Sequence, residues 1–412
     1  MATPTRATER SIDDGASEQA LAIGSLSRSV GEHRFGRIEQ VIYGRAFDEV
    51  VAQECERLNL RRVVVLTTRS IASTLGVRLQ RALGMRHAAT LNALPAHTPV
   101  ASVLAASQAA RNAKADLIVA LGGGSVIDAA KAVLYSLWRG GTTPAQLLDF
   151  EAGVSAEGAA CHKAAESALR IIAVPTTLSG AEFTSMAGVS NDKGRKQRLM
   201  HPLLVPRVVV LDPAAGAYTP APLWLSTGMR AVDHAIETVC ADRCDILSEL
   251  AALRGIALLA EGLQRSARTP DDLDARMQCQ LGMWMASIGP AAGVPMGVSH
   301  GIGHILGAEY GLPHGITSCV VMTAAMTWNR PLVEMRQQRL EAQLDLPGAD
   351  AAEKIDELLR RLQLPRRLGD VGIREDSFAA IAERAMTDFF IPTNPRPVQS
   401  AADLVGLLRL AA

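Results

Sequence analysis

Four histidines and one arginine carry most of the chemistry legible in this chain. His300, His304 and His314 stand in the run SHGIGHILGAEYGLPHG, and His234 stands upstream in GMRAVDHAIETV. Imidazoles serve as metal ligands and as proton carriers, so the cluster suits either a divalent ion or an acid–base site. His300 and His304 are spaced i,i+4 and share one face of a predicted helix. Arg230 precedes His234 by one turn on the same helix face, where a metal would be better served by a carboxylate. A divalent ion and a guanidinium 4 Å apart repel by roughly 8 kcal/mol at an effective dielectric of 20, and arginine cannot shed its proton to relieve this. Three histidines can still hold zinc if Arg230 swings away to Asp233 or Glu237. Asp233 lies about 100° around the helix from His234 and is not expected to replace the missing ligand. The expectation is that Arg230 replaces the ion, anchoring a substrate carboxylate or polarising a carbonyl. His234 or His304 would then supply a proton. Lys196 and Arg396 are further candidate anion contacts.

A second constellation suits a dinucleotide. The apolar run ADLIVAL leads into Gly122, Gly123, Gly124 and Ser125, and then into a helix. Glycines let the backbone approach a ligand closely, and the helix N-terminus favours a pyrophosphate. Asp128 is expected in the first turn of that helix, where a carboxylate is stabilised anyway. The run PTTLSGAEFT also leaves a strand and is dense in hydroxyls, which makes Thr176, Thr177, Ser179, Glu182 and Thr184 candidate cofactor contacts. Ser179 and Glu182 are equally spaced like a capping box. At the end of the first apolar strand, Thr67 and Thr68 are followed by Arg69. No acidic residue there excludes a 2′-phosphate, so Thr68 is a candidate contact for either NADH or NADPH.

These residues need elements to hold them. RVVVLTT (62–68), ADLIVAL (115–121), RIIAVP (170–175) and RVVVLD (207–212) are apolar throughout, as strands covered on both faces must be. Amphipathic stretches around 72–83 and 99–112 separate the first two. This alternation predicts an α/β dinucleotide-binding domain with a parallel sheet over 31–213. Beyond Pro213 helical patterns dominate: 225–240, 246–266, 272–287, 299–309, 314–329, 352–362 and 376–386. An all-α catalytic domain is therefore expected over 214–412, with the active-site cleft between the two. Residues 1–30 read as a disordered or loosely attached tail, and 150–169 as an irregular excursion.

With 412 residues, two domains are the better expectation. Lys plus Arg and Asp plus Glu both number 42, so no net charge draws the chain to nucleic acid or an anionic membrane. The six cysteines show no zinc-like spacing and read as buried thiols in a reducing cytosol. Acidic residues near the N-terminus argue against a targeting peptide. A soluble cytoplasmic enzyme acting on a small molecule is expected.

GGGSVIDAAK, PTTLSGAEFT, the helix with DHAIE, and SHGIGHILGAEYGLPHG, in that order, resemble the iron-containing alcohol dehydrogenase superfamily. The resemblance covers nearly all of the chain after residue 35. It implies the two-domain plan above, a nicotinamide cofactor and a homodimer. It also implies that metal-dependent members would bind their ion at the positions of His234, His300 and His314, with an aspartate where Arg230 stands; His304 would line the cleft without binding metal. The maleylacetate reductase branch is similar in lacking that aspartate and working without metal. The entry strand QVIYG (40–44), PAHTPV (95–100) with His97 as a candidate cofactor contact, the paired threonines and NPRPV (394–398) also resemble that branch. That branch usually has asparagine at the Arg230 position. The resemblance implies a metal-independent NAD(P)H-dependent reductase of maleylacetate, giving 3-oxoadipate, or of a related carboxylated keto or enoyl compound. The alternative is a zinc or iron alcohol dehydrogenase on three histidines.

Overall fold

The structure is a computed structural model that describes residues 32–94, 98–148, 169–190 and 196–412. The expected N-terminal tail, His97, residues 150–168 of the expected excursion and the side chain of Lys196 lie outside the described residues.

Among the described residues eight strands form, in chain order: β1 (Gln40–Tyr43), β2 (Val63–Leu66), β3 (His87–Leu91), β4 (Leu117–Gly122), β5 (Arg170–Pro175), β6 (Met186–Ser190), β7 (Lys196–Met200) and β8 (Val208–Leu211). Six make one parallel sheet in the order β1-β8-β5-β4-β2-β3, and β6 and β7 pair as an antiparallel hairpin. Alternate residues of the central strands enter different cores. Val64, Leu66, Ile118, Ala120 and Ile171 pack with helices α3 (Val100–Asn112) and α4 (Gly124–Arg139). Val63, Val65, Leu117, Val119 and Ile172 pack on the other side with α1 (Phe47–Arg57) and α2 (Val77–Leu83). Burial on both faces is why these strands carry no polar alternation.

The α/β domain with a parallel sheet is therefore present as expected, with two additions. Strand β3 is a half-buried edge strand, so its sequence HAATL lacks the apolar run that marks a central strand. The β6–β7 hairpin buries alternate residues only: Ala187, Val189 and Leu199 go into the core beside α4. Because all six main strands run parallel, their C-terminal ends share one edge. The order reverses between β2 and β4, so that edge carries the crevice in which α/β sheets bind ligands.

The second half is helical: α5 (Ala221–Cys240), α6 (Ile246–Arg268), α7 (Leu273–Ala286), α8 (Val298–Glu309), α9 (His314–Glu341), α10 (Ala351–Arg361), α11 (Phe378–Ala385) and α12 (Ala401–Leu410). The expected stop at Asn329 is a kink instead, with Pro331 inside α9 and Val333 out of helical geometry. Helix α12 goes beyond the helices expected from sequence. One core runs across the boundary: Leu178, Phe183, Val209 and Leu211 pack with Trp224, Met229, Val232 and Leu263. The β5 exit is tied to the helical half by hydrogen bonds as well. Leu178 N donates to Thr227 Oγ1 at 3.1 Å, and Thr219 Oγ1 donates to the Thr176 carbonyl at 2.6 Å. Among the described residues no helix is long and apolar enough to cross a membrane.

Candidate active site

The glycine turn sits where the sequence placed it, at the end of β4. Gly122 closes the strand at φ +156°, and Gly123 precedes the first residue of α4. What sequence could not show is what the glycines face. A Cβ on Gly123 would lie 2.8 Å from Cγ2 and 3.0 Å from Oγ1 of Thr177, and one on Gly124 would lie 3.0 Å from Ser179 Oγ. The two junctions are thus one wall. Gly122 pairs in register with Pro175, and Thr176 N donates to the Gly122 carbonyl at 3.1 Å. Thr177 Oγ1 is buried and has no hydrogen-bond partner among the described residues. A backbone cradle this close, opening on a helix N-terminus, fits a pyrophosphate. Ser125 is exposed beside it, and its carbonyl accepts from Thr98 Oγ1 at 3.2 Å. Thr68 is partly exposed on the same sheet edge, with its hydroxyl 2.9 Å from that of Ser70.

Three residues of this set behave differently from expectation. Asp128 is the fifth residue of α4 rather than part of its first turn, and its carboxylate accepts from Gly188 N at 3.2 Å. It fastens the hairpin to the helix. Glu182 is fully buried and neither carboxylate oxygen has a hydrogen-bond partner among the described residues, so the capping box does not form; burial pushes its carboxyl up to about 7. It lies behind the wall rather than on its surface. Ser179 Oγ instead accepts from Ala181 N at 3.4 Å. Lys131, which sequence reasoning passed over, is fully buried. Its ammonium donates to the carbonyls of Ala181, Thr184 and Met186 at 2.6–2.8 Å and to Thr184 Oγ1 at 3.2 Å. This lysine holds the segment after β5 in place.

Gly180 joins the cofactor wall to the histidines. Its φ is +71°, and a Cβ there would lie 2.6 Å from Ser287 Oγ and 3.7 Å from His234 Nδ1. Of the five predicted catalytic residues His234 is the one set against Gly180, and the others are linked to it through neighbouring helices. On α5, Arg230, Asp233, His234 and Glu237 follow i, i+3, i+4, i+7 and share a broad face. On α8, His300 stacks on His234 with ring centroids 4.9 Å apart, and His304 meets His314 of α9 edge-on at 6.2 Å. A Cβ on Gly303 would be 3.8 Å from Arg230 Nη1, and one on Gly307 would be 3.4 Å from His314 Cε1. Glycines on α8 therefore let the arginine and His314 approach its axis.

Arg230, His234, His304 and His314 are partly exposed, whereas His300 is 2% exposed. His300 Nδ1 is 2.7 Å from Glu237 Oε2 and 3.4 Å from Asp233 Oδ2. Glu237 also accepts from the backbone N–H groups of Gly297 and Ser299, each at 2.9 Å. Arg230 turns to neither carboxylate directly. Its Nη1 donates to Ser318 Oγ at 3.0 Å, and that hydroxyl donates to Asp233 Oδ2 at 2.7 Å. Ser299 Oγ also donates to Asp233, at 2.9 Å. Burial pushes Asp233 and Glu237 up to about 7. Burial, with neighbouring positive charge, holds His234 and His300 well below the usual histidine value.

The ligand set of the alternative, metal-dependent reading is His234, His300 and His314, and a different trio lies closest together. Among the described residues, the three side chains with ligand atoms within 4.8 Å of one another are Asp233, Glu237 and His300. Asp233 thus joins the cluster through His300 rather than His234, a pairing that helix angles alone do not reveal. These three are 0%, 7% and 2% exposed, and their carboxylates already accept donors. A catalytic ion needs an open position for substrate, which burial denies this group, although Asp233 Oδ1 and both ring nitrogens of His300 have no hydrogen-bond partner among the described residues.

His304 has a different partner. Its Nδ1 is 2.9 Å from Asp388 Oδ2, and its ring stacks on Phe389 and Phe390 at 5.7 and 5.6 Å. Asp388 lies 84 residues away, so no spacing rule could have found it. Arg396 is engaged elsewhere: its guanidinium covers Trp328 at 4.2 Å and donates to the Trp328 carbonyl at 2.6 Å.

Residues 39–213 match the model of the iron-containing alcohol dehydrogenase family, and 224–412 match that of the family's C-terminal region. Dehydrogenase FUM7 of Gibberella moniliformis is 32% identical over 86% of this chain and 92% of its own. Maleylacetate reductase 2 of Cupriavidus pinatubonensis is 32% identical over 90% of this chain and 94% of its own. The crystal structure of maleylacetate reductase from Rhizobium sp. strain MTP-10005 superposes with a TM-score of 0.79 at 26% identity. It covers 93% of this chain and 98% of that one.

Proposed function

The chain belongs to the iron-containing alcohol dehydrogenase family, in its maleylacetate reductase branch, and from that premise we propose that this oxidoreductase is a metal-independent NAD(P)H-dependent reductase of maleylacetate or a related carboxylated keto or enoyl compound. One observation carries the reading: Arg230 stands in the histidine cluster, partly exposed, with Ser318 holding one of its donors. A permanent cation at that place does the electrostatic work that an ion would otherwise do.

The cradle of Gly122, Gly123, Gly124, Thr177 and Ser179 suits a dinucleotide pyrophosphate. The cofactor, when bound, supplies a hydride to substrate carbon. Arg230 stabilises the negative charge that then builds on the carbonyl oxygen. His304 is the better proton source of the two candidates, because Asp388 holds its Nδ1 and leaves Nε2 to exchange the proton. His234, held neutral by burial, serves as a cleft wall against the cofactor segment. His300 with Glu237 and Asp233 forms the buried base of α5 and α8. Thr68, with Arg69 exposed beside it, leaves room for NADPH as well as NADH. A homodimer in the cytoplasm completes the proposal.

The test combines metal analysis of purified protein with NADH and NADPH oxidation on maleylacetate, with and without chelator. Chelator-resistant turnover by protein holding substoichiometric metal is the expected result. One tightly held zinc or iron per chain, with activity lost on chelation, would overturn metal independence and favour a simple alcohol as substrate.

A further inference from the structure

The hairpin between the cofactor wall and the helical half carries a second arginine at the site. In β7, Leu199 is buried in the core beside α4, and strand alternation sends Arg198 off the opposite face. Its guanidinium carbon lies 3.3 Å from the Phe389 ring centroid. Phe389 in turn stacks on His304 at 5.7 Å with the rings 30° apart. The acidic group that acts on Arg198 is Asp388, the partner of His304. Arg198 is exposed and has no hydrogen-bond or ion-pair partner among the described residues. Most exposed arginines are simply solvated. This one has its guanidinium carbon over an aromatic ring that touches the proposed proton donor, and its N–H donors are without partners among the described residues.

Arg230 approaches α8 at Gly303, and Arg198 reaches the same helix turn through Phe389. We propose that Arg198 is a specificity-determining residue that anchors the second carboxylate of a dicarboxylate substrate, so that two guanidinium groups flank His304. This rests on the reading of the site as a reductase of carboxylated keto or enoyl compounds. A charge-assisted, two-pronged contact of this kind should account for about ten- to hundredfold in KM.

Steady-state kinetics on maleylacetate and its two half esters, with wild type, Arg198→Ala, Arg198→Met and Arg198→Lys, tests the assignment. Arg198→Ala is expected to raise KM for the diacid about ten- to hundredfold with kcat and the cofactor KM little changed. For the half ester lacking the anchored carboxylate, wild type and variant should behave alike. Arg198→Met, which keeps a contact on Phe389 without the charge, should match alanine, and Arg198→Lys should recover part of the loss. Equal losses on the diacid and both half esters, or an unchanged KM, would overturn the assignment. Wild-type protein that reduces no keto or enoyl acid would instead overturn the function beneath it.

Discussion

Arg230→Ala is the decisive perturbation. A guanidinium has five N–H donors, and one of those on Arg230 is engaged, by Ser318 at 3.0 Å. A unit negative charge about 4 Å away is stabilised by roughly 4 kcal/mol at an effective dielectric of 20. Partial exposure of the side chain reduces this to about 2–3 kcal/mol, or about 30- to 150-fold in kcat/KM. Stopped-flow or steady-state NADH oxidation on maleylacetate reads that loss directly, with the cofactor KM as control. The fold should survive, because Ser318 and Ser299 still hold Asp233 without the arginine. Arg230 also helps to hold His234 and His300 low, so its removal should let both titrate higher in an NMR titration. Arg230→Lys keeps the charge but loses the planar fork and should recover only part of the rate. A kcat/KM within about threefold of wild type, in protein whose histidines do titrate higher, would refute the role of Arg230 as the electrophilic group.

Three further outcomes follow from the geometry. Gly123→Ala would push a Cβ to 2.8 Å from Thr177, costing about 1–3 kcal/mol of stability and weakening NADH binding by fluorescence titration; lost stability with unchanged NADH affinity would contradict the cradle. His304→Ala should lower kcat about 10²–10⁴-fold and Asp388→Asn by less, and the double variant should be no worse than His304→Ala if the pair acts as a unit; multiplying effects would separate them. Asp233, raised to about 7 by burial, binds its proton more tightly folded than unfolded. Its stabilising contribution is therefore present below about pH 4 and is lost as pH rises to about 7. Denaturation of Asp233→Asn, which escapes that loss, should show a stability advantage over wild type that grows across this window to a few kcal/mol. A pH-independent difference would show that Asp233 stays ionised throughout.

Sequence by itself determined the elements whose signal is local. Strands buried on both faces must be apolar throughout, and β2, β4, β5 and β8 announced themselves that way. The glycine turn at the end of β4 and the i,i+4 histidines of α8 are equally local, since backbone reach and helix geometry depend on neighbours in the chain. Edge strand β3 and the β6–β7 hairpin escaped because half-buried strands carry mixed residues. Tertiary structure alone decided which side chains share a partner. It set Thr177 against Gly123, His234 against Gly180 and Asp388 against His304, contacts made by packing between segments far apart in the chain. It also decided the fate of the charges. Among the described residues Arg230 reaches Asp233 through Ser318, His300 lies 2.7 Å from Glu237 in a buried group, and Glu237 accepts from the Gly297 and Ser299 N–H groups, because desolvation, which no spacing rule reports, makes buried carboxylates keep their donors.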